Sequence, residues 1–510
     1  MKKNLKLLLA VFIFAAALGL RLADFDDPPL DFHPARQMHS ALMARGFYLD
    51  SGGYLTDQSE EYNTLAKILG KLEAWIEPPI LEKLTAGLYH LFGTVDLRIP
   101  RALSIIFWLA GGIALALLTD SLFGTAGMFA SLGWYLFFPY GVIASRSFQP
   151  DILMTALLIW SMLFLKRWTE KPDSFGRMAA MGLTAGFCIL VKQVAAFPLG
   201  LAIAAGLISA QGLKKTLRNY RVWIAALLCL GPMAAYNYWG YFVKGFLVQQ
   251  YQGRFFLSEL VSPAFYIRWM RMIDEVFSVP LLCAAVFGIL LIRERNSRIS
   301  WLAYFAGYIL YGLSLPHHIG THNYYQLLIF PLAAVGLGSL MKCVSRGIMK
   351  AARKQSRLVP AAGVVCALAL CGWWAADSVM MMHRKDYRAW PGRWMEWMPE
   401  LEPWEDRIST IGIMDDYGGG MTYWGLHNPG IWDTSVETLD EYSALVKLNT
   451  TFWNYQWLVV TDPDKFYEQP RLQRYLNETA SVYRQEADYI IFELNKVGQE
   501  QQVQVSHSEP

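Results

Sequence analysis

A single charge, Lys192, interrupts the apolar stretch from Met178 to Ala210. Arg146 and Asp151 stand five positions apart in Ser145-Arg-Ser-Phe-Gln-Pro-Asp151. Asp31, His33 and Arg36 fall in one short segment, Glu77 precedes Pro78-Pro79, and His322-Asn-Tyr-Tyr325 ends on two tyrosines. Arg254, Arg268 and Arg271, with His317 and His318, complete the set. Carboxylates in such places can take a proton, orient a polar group or bind a cation. Guanidinium forks and a lysine ammonium suit anions, phosphate above all. Each residue also has a plain reading, as a helix cap, an interfacial cation or half of a local ion pair. Their common placement makes them candidates for chemistry.

The elements that must position them are membrane helices. The chain has 510 residues, 54% hydrophobic and only 17% charged, against about a quarter charged in soluble proteins. A spanning helix needs roughly 20 mostly apolar residues, and about eleven such runs begin near Leu7, Ala102, Ala126, Ile152, Met178, Val194, Val222, Val279, Ile299, Tyr325 and Val359. Met178–Ala210 as one helix would be roughly 50 Å long, too long for the hydrocarbon core. The stretch therefore reads as two helices meeting in a tight turn at Lys192-Gln193. The first run follows Lys2-Lys3 and reads as an uncleaved first helix, although it has the form of a signal peptide.

Basic residues sort the loops by side. Lys2, Lys3 and Lys6, then Lys166 to Arg177, Lys214 to Arg221, Arg293 to Arg298 and Lys342 to Arg357 mark alternate loops as cytoplasmic. This predicts a multi-pass protein of the inner or plasma membrane with its N-terminus inside and its C-terminal region outside. The candidate residues then all lie at the outer ends of spans or in outer loops. Ionisable groups at membrane depth are costly, which makes these few a functional hypothesis.

Two domains are expected. Residues 1–377 form the transmembrane domain, including an outer segment, 22–101, with amphipathic pieces at Glu60–Ile76 and Ile80–Phe92. Residues 378–510 form a small extracytoplasmic α/β domain whose strands are Ile408–Met414, Trp457–Val460 and Tyr489–Leu494, and whose last dozen residues read as disordered. In this region Trp390, Trp394 and Trp397 recur on one helix face. That pattern fits an amphipathic helix at the membrane surface, or a stacking platform for sugars. Asp415-Asp416 ends a strand and is a weaker candidate.

Several classes are excluded or disfavoured. A net charge of +3 does not indicate a nucleic-acid partner. The six cysteines include no CxxC pair and read as small apolar residues rather than a disulfide or zinc framework. There is no GxxxxGK[ST] loop, no HExxH motif, and no inward loop long enough for a nucleotide-binding domain. An outward-acting enzyme with no nucleotide site would meet its activated substrate in the lipid phase. A transporter would show repeated halves or charges at mid-membrane, and neither is present. A polymerase or ligase of lipid-linked glycans, with a large outer loop late among the spans, is the nearer alternative.

Five motifs in order carry a family resemblance. They are Asp31-Phe-His-Pro-Ala-Arg-Gln-Met-His-Ser-Ala-Leu-Met-Ala-Arg-Gly-Phe-Tyr48; Glu77-Pro-Pro-Ile-Leu-Glu-Lys-Leu followed by Leu-Arg-Ile-Pro-Arg-Ala-Leu-Ser104; Ser145 to Asp151; Leu190-Val-Lys192; and His322-Asn-Tyr-Tyr325. Over roughly residues 1–380 the chain resembles the GT-C membrane glycosyltransferases, in the branch of the protein O-mannosyltransferases and the lipid A aminoarabinose transferase. The resemblance implies a polytopic helical fold and transfer of a sugar, hexose or pentose, from a polyprenyl-phosphate carrier to a glycan, lipid or protein acceptor outside the cytoplasm. It also implies an acidic general base in the first outer segment. Family members often carry an Asp-Glu pair there, whereas here Asp31 is followed by Phe32.

On that reading Asp31 is the base, with Asp24, Asp26 and Asp27 as alternatives and the cap of helix Ala35–Ala44 as its plain role. Asp151 is the second acid, orienting the acceptor, binding a cation or capping the fourth span. Lys192 meets the departing phosphate together with Arg254 or Arg146. Arg36, Glu77, His322, Tyr324 and Tyr325 contact substrate. No cofactor or metal ligand set is required by the sequence, and a divalent cation is compatible with it.

Overall fold

The computed structural model describes residues 3–248, 256–352, 358–397 and 409–494. Contacts divide the chain into two units. The first comprises Met1–Phe25, Ala74–Leu81 and Arg98–Lys385; the second comprises Asp26–Glu73, Glu82–Leu97 and Asp386–Pro510. Most of the segment after the first helix thus shares one unit with the C-terminal region.

The first unit is helical. Every apolar run noted above forms a helix: Lys3–Arg21, Arg98–Phe123, Thr125–Phe137, Pro150–Glu170, Phe175–Val191, Ala196–Gln211, Tyr220–Tyr238, Val279–Leu290, Arg295–Ser314, Phe330–Ala352 and Leu358–Met382. Seven helices among the described residues are long and apolar enough to cross a membrane, or eight if Pro263–Phe277 and Val279–Leu290, bent by 81°, make one span. The expectation of about eleven spans therefore includes helices that fall short of that measure. Thr125–Phe137 has 13 residues and stops before Pro139, and Phe175–Val191 has 17. Close packing pairs Ala196–Gln211 with Arg295–Ser314, Phe175–Val191 with Tyr220–Tyr238, and Val279–Leu290 with Phe330–Ala352. In the last pair a Cβ on Gly288 would stand 2.0 Å from the Gly336 carbonyl oxygen, so only glycine allows the approach. Of the six cysteines, Cys188 and Cys229 are buried while Cys283, Cys343 and Cys366 are exposed, so the buried-residue reading holds for part of the set.

The second unit joins helices to one sheet. Strands β1 (Thr410–Ile413), β2 (Gly430–Ile431), β3 (Trp457–Val460), β4 (Ala480–Gln485) and β5 (Ile490–Leu494) lie in the order β2-β1-β3-β5-β4. β1 runs parallel to β2 and β3, while β5 is antiparallel to β3 and β4. Ile411, Leu458, Val460, Ile490 and Phe492 pack with Leu448, Phe452, Leu472 and Leu476 of the covering helices. Helix Pro34–Asp50 crosses helix Glu60–Leu72 closely; a Cβ on Gly70 would stand 2.6 Å from Gly46 Cα and from the Leu42 carbonyl oxygen. Helix Pro34–Asp50 also packs on Gly419–Trp424, which in turn meets Trp390–Trp397.

Trp390, Trp394 and Trp397 are buried inside this unit, and their ring centroids lie 5.1–6.1 Å apart. Trp397 also lies 4.4 Å from the Tyr489 ring. The three rings form core, and neither a membrane-surface face nor an open sugar platform is left on them. The periodicity identified a helix face correctly but could not say what covers it.

Candidate active site

The site in the first unit is built where two helices begin and end. Pro150 fixes the first turn of helix Pro150–Glu170 and places Asp151 beside it, in the turn whose free N–H groups favour a carboxylate. Helix Phe175–Val191 stops at Lys192, whose extended backbone (φ −153°, ψ 108°) leads through the short turn Gln193–Ala195 into helix Ala196–Gln211. The break needed to fit Met178–Ala210 into a membrane is therefore the element that aims the lysine.

Lys192 Nζ donates to both oxygens of Asp151, at 2.7 and 2.6 Å, and lies 3.9 Å from Glu77 Oε1. The side chains of Lys192 and Asp151 are 4% and 1% exposed, so water does little to screen the pair. An ammonium has three N–H donors. Two are directed at Asp151, which leaves one for a further partner. Lys192 Nζ also stands 4.9 Å from the Tyr324 ring centre and 5.3 Å from that of Tyr325, within range of cation–π attraction.

Those tyrosines are held from behind. Asn323 Nδ2 donates to Glu275 Oε2 at 3.0 Å, and the Tyr140 hydroxyl donates to Asn323 Oδ1 at 2.9 Å. Trp269 donates to the Tyr308 hydroxyl at 2.7 Å, Tyr308 donates to Gln326, and Gln326 Nε2 reaches the Ile319 carbonyl at 3.2 Å. His322 stacks on Tyr324 at 5.3 Å, and His318 on Tyr325 at 5.7 Å. Glu275, Tyr140 and Gln326 are positioning groups that sequence reasoning missed. Of these, only Gln326 adjoins a motif, and their pairing is long-range.

Arg146, 1% exposed, points its Nη2 to the Asp24 carbonyl oxygen at 2.7 Å. Arg101 reaches the same carbonyl at 2.9 Å, and Arg21 donates to Ser145 Oγ at 2.7 Å. Three buried guanidinium groups thus gather round the turn that follows the first helix. Arg254 lies outside the described residues.

Asp31 and Arg36 belong to the second unit. Helix Pro34–Asp50 is preceded by His33, in the left-handed region at φ 46°, with no side-chain capping bond. Asp31 is therefore not its N-cap, and the plain role offered for it falls away. Gln37 Nε2 donates to the Phe32 carbonyl at 2.7 Å and lies 3.4 Å from Asp31 Oδ1. Arg36 sits partly exposed in the first turn of that helix. The other carboxylates nearby in sequence have structural work. Asp24 pairs with His383 at 3.1 Å, Asp26 takes Arg388 at 3.0 Å, and Asp27 accepts the Tyr387 N–H at 2.9 Å. Asp416 is buried and accepts N–H bonds from Gly418 and Gly420 at 2.9 and 2.7 Å, which makes it a turn-forming residue. No group of three His, Cys, Asp or Glu among the described residues is placed to hold a metal ion.

Comparison with known proteins adds to this geometry. Residues 77–239 match the family described as dolichyl-phosphate-mannose-protein mannosyltransferase. Three solved structures share the fold. ArnT from Cupriavidus metallidurans bound to undecaprenyl phosphate is 15% identical, with 95% of this chain and 97% of that one covered and a TM-score of 0.52. The archaeal oligosaccharyltransferase AglB from Archaeoglobus fulgidus, in complex with an inhibitory peptide and a dolichol-phosphate, is 11% identical over 98% and 75%, with a TM-score of 0.58. The arabinofuranosyltransferase AftD from Mycobacteria is 14% identical over 97% and 40%, with a TM-score of 0.50. A search of curated proteins finds no match.

Proposed function

Since the chain has the fold of the GT-C membrane glycosyltransferases, we propose that it transfers a sugar from a polyprenyl-phosphate carrier to an acceptor at the extracytoplasmic face. One observation carries this reading: Lys192, clamped by Asp151 at a break between two apolar helices, presents one N–H that is not directed at Asp151. Solved structures of the same fold support it, since one is bound to undecaprenyl phosphate and another to a dolichol-phosphate. The basic loops support an inward N-terminus and an outward C-terminal region.

In the reaction the acceptor hydroxyl adds to the anomeric carbon, the bond from that carbon to the carrier phosphate breaks, and the hydroxyl proton passes to the Asp31 carboxylate. Polyprenyl phosphate leaves, and Lys192 meets its developing charge. Arg254 and Arg146 are the arginines assigned to the same phosphate. Glu77, Arg36, His322, Tyr324 and Tyr325 contact sugar or acceptor. Asp151 holds Lys192 at its station and excludes competing rotamers, and its bidentate contact supports that role over proton transfer.

The test is transfer by the purified full-length protein, with a polyprenyl-phosphate sugar and a nucleotide sugar compared as donors. Transfer is expected from the lipid-linked donor only. Transfer from the nucleotide sugar at an equal rate overturns the reading.

A further inference from the structure

A basic turn of the first unit takes no part in this reaction. Helices Ala196–Gln211 and Tyr220–Tyr238 both belong to segments long and apolar enough to cross a membrane, so the chain between them stands at a membrane surface. Gly212, at φ 80°, ends the first helix and leads into a short one, Leu213–Arg218. The buried Thr216 donates its hydroxyl to the Gly212 carbonyl at 2.8 Å, and the Asn219 N–H donates to the Lys215 carbonyl at 3.0 Å. These bonds hold the turn in one shape.

A cavity of about 480 Å³ lies on this turn, lined by Gln211, Gly212, Leu213, Lys214, Lys215 and Arg218. Its volume falls within the roughly 300–1,000 Å³ of small-molecule sites. No Asp or Glu occurs between Asp173 and Glu259, and among the described residues none of Lys214, Lys215 and Arg218 is in an ion pair. The neighbouring basic loop differs, since Lys166 and Arg177 pair with Glu170 at 2.5 and 3.2 Å. Topology asks only for basic residues somewhere in a loop. Three cations lining one cavity without a carboxylate go further, because they build a positive potential that an anion would neutralise.

Apolar side chains adjoin those charges. Leu213, Leu217, Tyr220 and Trp223 are each more than half exposed. Leu213 and Leu217, four positions apart, share one helix face, and Trp223 Nε1 donates to the Leu217 carbonyl at 2.9 Å. Tyrosine and tryptophan favour the membrane–water interface. Cations next to exposed apolar groups suit an anion that carries acyl chains better than a soluble one.

We infer that Lys214, Lys215 and Arg218 hold the phosphate of an anionic phospholipid headgroup, with Leu213, Leu217 and Trp223 against the upper part of its chains. The surface is the one that the basic loops support as inward, where anionic lipids gather. The site does not depend on the glycosyl-transfer reading, and its test does not use activity.

The full-length protein in detergent is titrated with short-chain phosphatidylglycerol, short-chain phosphatidylcholine and inorganic phosphate, and bound ligand is measured by native mass spectrometry. Phosphatidylglycerol is expected to bind about 10–100-fold more tightly than either of the others, in line with three cations near the membrane surface. Lys214→Gln, Lys215→Gln and Arg218→Gln together erase that preference. Lys171→Gln, Arg293→Gln and Arg346→Gln together remove as many charges from other basic loops and leave it intact. Should the first triple variant fail to fold, Arg218→Gln decides alone, with phosphatidylglycerol bound about 3–10-fold more weakly. Equal affinity for the two lipids overturns the proposal, as does a preference that survives the first triple variant, an equal loss in the second, or unchanged affinity in Arg218→Gln. Inorganic phosphate bound as tightly as phosphatidylglycerol overturns the lipid as its source.

Discussion

Lys192 and Asp151, 41 residues apart, form a two-pronged contact in which one ammonium meets both carboxylate oxygens, at 2.7 and 2.6 Å. Neither partner is in water. Such a pair adds little net stability, because desolvation offsets attraction, but losing one partner leaves a bare buried charge. The arrangement therefore fixes position and charge more than it strengthens the fold.

Asp151→Asn should destabilise the protein by about 3–5 kcal/mol, because the buried Lys192 keeps only the longer contact to Glu77, at 3.9 Å. Asp151→Asn combined with Lys192→Met should recover much of that loss while transfer stays absent. Thermal unfolding of the two proteins in one detergent measures the difference. Equal destabilisation of both would show that the charge is not what matters.

Asn323→Ala frees the segment that carries Tyr324 and Tyr325 from Glu275 and Tyr140. The expected effect is a rise in KM for the donor of about 3–10-fold with a smaller change in kcat, from two hydrogen bonds of ordinary strength. A fall in kcat alone would place Asn323 in the chemical step instead.

Trp397 is 1% exposed in the core of the second unit. Trp397→Ala should cost about 3–5 kcal/mol of stability, seen as a lowered unfolding midpoint. A variant with unchanged midpoint and raised acceptor KM would restore the sugar-platform reading.

His427 gives the second unit a pH signature. Burial lowers its pKa below the ordinary 6.5, and its Nε2 has no hydrogen-bond partner among the described residues. The unfolded chain therefore binds a proton at higher pH than the folded one. Stability from this residue is complete above about pH 6.5 and declines as pH falls below it toward the lowered folded value. His427→Gln should flatten that decline when unfolding midpoints are compared from neutral to mildly acid pH. An unchanged slope would remove His427 as its source.

Much of the first unit was legible because the bilayer constrains it. A lone lysine in a long apolar stretch must sit at a break, and Lys192 does. Proline before Asp151 signalled a helix start, and that too is observed. What the chain could not disclose was long-range pairing. Nothing local joins Asp151 to Lys192, Asn323 to Glu275, or Arg45 to Tyr423. The tryptophan helix shows a related limit. Spacing shows which residues share a face, but only the fold shows whether water, lipid or protein covers it. Asp31 is the converse case, since the cap suggested by its place before a helix is ruled out by His33.

Asp31→Asn should lower kcat for transfer by about 10²–10⁴-fold, the range for removing a general base, with the fold retained. Wild-type turnover by that variant, measured with a saturating lipid-linked donor, would take the base role from Asp31.

The most direct measurement is a cryo-EM map of the full-length protein with bound polyprenyl phosphate. The expected result is phosphate density within hydrogen-bond distance of Lys192 Nζ, with the Asp151 contact kept and donor binding lost in Lys192→Ala. Phosphate bound away from Lys192, or full donor affinity in Lys192→Ala, would contradict the proposed function.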